Sequence, residues 1–109
     1  MVLVPNPGYP VFEAGPFLND AKIAYYELDK TNHYAPALDK IPEELAKKAK
    51  MMVVSYPLNP TCTCIEKADY EKIIAFAKKY NIAIIHDNAY SEIEYDGRTG
   101  FSFLSVTGS

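Results

Sequence analysis

Apolar residues along this chain fall into short continuous runs separated by polar, proline-rich or periodic stretches. Val2-Leu3-Val4, Lys22 to Leu28, Met51-Met52-Val53-Val54 and Ile82 to His86 are of strand length and mostly apolar or aromatic. Pro5-Asn6-Pro7-Gly8 ends the first run, because two prolines cannot donate to a ladder. Pro10 suits the first turn of a helix that Val11, Phe12 and Ala14 continue. Gly15-Pro16 should kink or end that helix, since a proline at 16 removes a bond to residue 12 and clashes with its carbonyl. Pro42 to Lys48 predicts a short helix, with acids opening it and lysines closing it, as the helix dipole prefers. From Glu66 to Tyr80, apolar residues at 70, 73, 74, 77 and 80 make one helical stripe, and Asn81 is a plausible stop.

Buried strands alternating with helices predict βαβ units and a parallel sheet covered on both faces. The expected fold class is α/β: a three-layer αβα arrangement around a mostly parallel sheet of about four strands. With 109 residues the chain is one domain at most. The stretch from 88 to 109, with Gly97, Gly100 and Gly108, reads either as a mobile tail or as a segment that borrows a neighbour's surface.

Composition narrows the function. A net charge of −3 leaves no basic footprint for nucleic acid or an acidic membrane surface. No apolar run approaches the roughly 20 residues that span a bilayer. MVLVPNPG has neither a basic nor a long apolar segment, so it does not read as a signal peptide. Cys62 and Cys64, one residue apart, suggest a reduced, cytoplasmic chain. Without a nearby Cys/His pair they read as small loop residues, and no metal site is expected.

Ligands of open parallel sheets bind at the carboxyl ends of the strands. Those ends read PNPGY, YPLNPTC and HDNAY. There is no G-x-x-x-x-G-K-[ST], no G-x-G-x-x-G and no G-x-S-x-G. A phospho-acceptor receiver would need acids after the first strand, where this chain has Pro5-Asn6. Taken locally, Asp87-x-x-Tyr90 reads as a strand-exit turn or helix cap, Asn59-Pro60 as a turn, and Tyr9 as a core or surface aromatic.

In order, PNPGYP, NPT, the amphipathic helix and IIHDNAYSEI resemble the fold-type I pyridoxal-phosphate (PLP) enzymes. The likeness is to the class I/II aminotransferases, and DNAYSEIEYDG followed by FSFL is similar to their aspartate and LL-diaminopimelate branches. The resemblance covers essentially the whole chain. It implies cofactor-binding roles for four residues. Asp87 would face the protonated ring nitrogen, where a carboxylate raises that nitrogen's pKa. Asn59 and Tyr90 would bond the phenolic oxygen, and Tyr9 would stack on the ring.

Two residues depart from the family's pattern, with Cys62 where glycine is usual and Leu58 where asparagine is common. The Schiff-base lysine, usually in S-x-S-K, has no counterpart, so no catalytic residue is assigned. The resemblance therefore implies a middle fragment of the large, cofactor-binding domain, inactive alone and binding PLP weakly at best. Its parent would be a homodimer moving an amino group between an amino acid and a 2-oxo acid, and the fragment would tend to self-associate. A β-lyase or decarboxylase of the same fold, or a non-enzymatic α/β domain, are the alternative readings.

Overall fold

The computed structural model describes residues 1–98, 100 and 102–106. Thr99, Phe101 and the last part of the expected tail, 107–109, lie outside the described residues. Strands β1 (Val2–Asn6), β2 (Ile23–Glu27), β3 (Met51–Ser55) and β4 (Ala83–Asp87) form one parallel sheet in the order β2-β1-β3-β4. Helices α1 (Val11–Leu18), α2 (Glu43–Lys48) and α3 (Lys67–Tyr80) make the connections, with short 3₁₀ turns between them. The α/β class and the parallel sheet of four strands agree with the sequence reading.

Alternation along the strands divides the apolar side chains between two faces. Val2, Val4 and Val53 pack with Phe12 of α1 on one face. Leu3, Met52 and Val54 pack with Tyr70, Ile73, Ile74 and Ala77 of α3 on the other. The α3 stripe lies on the sheet as its spacing requires. Glu66 and Asp69 form a reciprocal capping box at its start, and Asn81 ends it in the left-handed conformation at φ 55°. Phe103 and Val106, from the segment expected to be mobile, are buried in the α3-side core.

Pro16 does not end α1, which continues to Leu18. The helix is barely two turns long, and its last carbonyls are served from beyond it. Asn19 Nδ2 donates to the Gly15 carbonyl at 2.9 Å, and the Ala21 N–H donates to the Pro16 carbonyl at 2.9 Å. One lost bond in so short and exposed a helix does not break it. β4 ends on Asp87, one residue later than expected, because Asp87 still pairs with Ser55 of β3.

Pro5 shapes the centre of the sheet. The Val2 N–H turns toward β2, donating to the Lys22 carbonyl at 2.8 Å. Alternation then points residue 5 toward β3, where proline has no N–H to give. The β1–β3 ladder stops accordingly at Leu3–Met52. Tyr26 of β2 supplies a replacement donor, its hydroxyl meeting the Val53 carbonyl at 2.6 Å. Burial pushes that phenol's pKa well above its ordinary value, so it stays a donor.

Replacing Tyr26 with phenylalanine removes this donor and leaves the Val53 carbonyl buried without it. Tyr26→Phe is expected to cost about 1–3 kcal/mol in urea unfolding. Phe17→Ala, at a side chain 77% exposed, should stay within about 0.5 kcal/mol of the parent.

Candidate functional site

All four strands run the same way, so their carboxyl ends share one edge. Strand order reverses between β1 and β3, which is where a doubly wound sheet opens a crevice. Tyr9 follows β1, Asn59 follows β3, and Asp87 and Tyr90 close β4. The predicted residues therefore sit on the edge where a ligand would be held.

They do not all line one cavity. Asn59 and Tyr90 share a hollow of about 1000 Å³, with His33, Cys62, Glu94 and Arg98 among its other walls. That volume is ample for a small-molecule ligand. Tyr9 is 49% exposed and rests edge-on against Phe12, ring centroids 6.0 Å apart. Asp87 is half-buried at the β4 terminus, outside that hollow. Its register partner Ser55 belongs to the α1 side of the sheet, two residues beyond Val53, so Asp87 lies on that side too.

Ser55 Oγ approaches Asp87 Oδ2 at 3.4 Å as a donor. Sequence reasoning missed this contact. Only the register of two strands separated by a helix reveals it.

The chemistry of the set fits a PLP ring. A carboxylate can accept from a ring N–H, an amide and a phenol can donate to a ring oxygen, and an exposed tyrosine can cover a ring face. Among the described residues, Asp87 Oδ1 has no hydrogen bond, so one oxygen is free for a ring N–H.

Beside Asp87, the His86 ring points to the other face. It stands edge-on to Tyr70 and Phe103, with centroids 5.8 and 4.9 Å away. Burial holds its pKa below the ordinary imidazole value, partly offset by the charge of Asp87 and a hydrogen bond to the Tyr56 backbone. Burial is also the main cause that pushes the Tyr70 phenol up to about 12, helped by Glu94, and raises the Cys64 thiol. Neutral forms are therefore favoured along this wall.

Cys62 adopts φ 55° in the turn closed by its N–H to the Leu58 carbonyl at 2.7 Å. The turn does demand the left-handed region in which glycine is at ease, and cysteine occupies it at a steric cost. Among the described residues, no cluster of three or more His, Cys, Asp or Glu side chains could hold a metal. No helix among them is long and apolar enough to cross a membrane.

The model of the aminotransferase class I and II family matches residues 1–106. The chain belongs to that family. It is 39% identical over 107 residues to an LL-diaminopimelate aminotransferase of Moorella thermoacetica, a match covering 98% of this chain and 27% of the relative. It is 42% identical over 109 residues to the enzyme of that name from Halothermothrix orenii, covering 100% and 28%. Among solved structures, substrate-bound BacF from Bacillus subtilis superposes with a TM-score of 0.94 at 41% identity, covering 98% of this chain and 27% of that one. A probable N-succinyldiaminopimelate aminotransferase from Thermus thermophilus gives 0.90 at 26% identity, covering 98% and 28%. The chain thus spans little more than a quarter of the length of these relatives.

Two outcomes follow for stability. The depressed His86 pKa means that the unfolded chain takes up a proton near its ordinary pKa of 6.5 before the folded chain does. The stabilisation is complete above that value and is lost as pH falls from it through the lower folded value. His86→Phe should flatten that decline when urea unfolding is compared at pH 7.5 and 5.5. Cys62→Gly should stabilise the chain by roughly 0.5 kcal/mol, the relief of left-handed strain outweighing the added freedom of the unfolded chain.

Proposed function

We propose that this chain is the middle part of the large domain of a PLP-dependent aminotransferase, carrying the surface that holds the cofactor ring. One observation carries the reading. Tyr9, Asn59 and the Asp87–Tyr90 pair fall on one edge of a parallel sheet, at the ends of its three consecutive strands β1, β3 and β4.

PLP, when bound, supplies an electron-accepting ring to a substrate carbanion. Asp87 would hold the proton on the ring nitrogen by a charge-assisted bond from its carboxylate. Asn59 and Tyr90 would donate to the ring oxygen, orienting the ring and stabilising negative charge there. Tyr9 would cover one ring face and exclude water. Beyond Asp87 the chain returns to the core at Phe103 and Val106.

The substrates would be an amino acid and a 2-oxo acid, with diaminopimelate-type amino acids supported by the names of the relatives. The parent would work as a cytoplasmic homodimer. The Schiff-base lysine would come from another part of the parent, so the 109-residue chain alone should show no transamination.

The test is an NMR titration of the ¹⁵N-labelled chain with pyridoxamine 5′-phosphate, whose amine cannot form Schiff bases with stray lysines. Shifts should concentrate at residues 9, 59 and 87–90, and Asp87→Asn should weaken binding by about tenfold or more. Shifts elsewhere, or an affinity indifferent to Asp87→Asn, would overturn the assignment.

A further inference from the structure

Tyrosines aside, Ser55 is the one buried polar or charged residue among the described residues, 3% exposed. It closes an otherwise apolar strand, MMVVS. Burying a hydroxyl costs free energy unless it is hydrogen-bonded. An alanine or valine would fill a strand end without that cost. The Ser55 side chain has a single hydrogen-bond partner among the described residues, Asp87 Oδ2 at 3.4 Å.

The two residues are register partners on adjacent parallel strands, so the backbone holds their Cα atoms opposite each other. Their separation is long for an O–H···O bond, which usually spans about 2.5–3.0 Å. Such contacts often tighten only when the ligand is in place.

From this geometry we propose that Ser55 is a positioning residue for Asp87, deepening the function proposed above and resting on it. Its hydroxyl donates to Oδ2 and fixes the carboxylate's rotation. Oδ1 is then presented at the sheet edge to the ring N–H. Ser55 itself touches neither cofactor nor substrate. No group facing Asp87 from its own strand replaces it, because the His86 ring turns to the opposite face against Tyr70 and Phe103.

A structural hydroxyl and a positioning hydroxyl predict opposite behaviour. Ser55→Ala should leave the urea midpoint unchanged or raise it, because a buried polar group is removed. It should nevertheless weaken pyridoxamine 5′-phosphate binding about threefold to tenfold. Ser55→Thr, which keeps the hydroxyl, should restore the affinity. In an Asp87→Asn background, Ser55→Ala should have no further effect.

A lowered midpoint with unchanged affinity would overturn the proposal, leaving Ser55 a structural residue. So would an equal loss of affinity with and without the Asp87 carboxylate. Either result leaves the cofactor assignment standing if wild-type binding still depends on Asp87. Wild-type binding that ignores Asp87 would instead overturn the cofactor assignment, and the role of Ser55 with it.

Discussion

Parallel pairing of β3 with β4 is the constraint on which the site depends. It sets Ser55 opposite Asp87 and ends both strands at the same level. An acid at the end of a mostly apolar strand would otherwise be a solvated turn residue. Held there by five consecutive register pairs, it is half-buried with one oxygen contacted by a hydroxyl and the other without a partner among the described residues. That is the geometry on which the proposed role of Asp87 rests.

Pro5 contributes at the neighbouring position. A complete β1–β3 ladder would zip the sheet to its end. The missing N–H stops pairing after Leu3, and the buried Tyr26 hydroxyl satisfies the carbonyl left over. The loops after β1 and β3 therefore begin where strand order reverses and the two strands are no longer tied. Loop chemistry continues the pattern. Asn59 and Cys62 lie in one tight turn, Tyr90 precedes a 3₁₀ turn, and both loops reach the same hollow. On the opposite face, His86, Tyr70 and Phe103 fasten the chain beyond β4 to α3, which is how a stretch rich in polar residues and glycine keeps two residues in the core.

Much of this was legible in the residues. The four strands and the α3 helix are written in apolar periodicity, a local signal. Asn81 reads as a helix stop because a left-handed residue is needed there. The positions of Tyr9, Asn59, Asp87 and Tyr90 after β1, β3 and β4 are legible because each sits in a short motif following an apolar run. What was not legible depends on distance in the sequence. Ser55 and Asp87 are 32 residues apart, and Tyr26 and Val53 are 27 apart. Pro16 does not end α1, because Asn19 and Ala21 serve the carbonyls of its last turn, bonds that lie outside the helix's own pattern. The burial of Phe103 was hidden for the same reason as Ser55: its ring packs against Tyr70 of α3, far back along the chain.

The central claim is that Asp87 faces a cofactor's ring nitrogen. The most direct measurement places this chain in the corresponding stretch of a full-length relative, such as the Moorella thermoacetica enzyme with which it shares 39% identity. The purified chimera's absorption spectrum then reports bound PLP, with circular dichroism confirming that it is folded. A folded chimera that carries the cofactor and transaminates, and that loses both when Asp87 is changed to alanine, is the result predicted. A folded chimera whose spectrum and activity do not respond to Asp87→Ala would contradict the account.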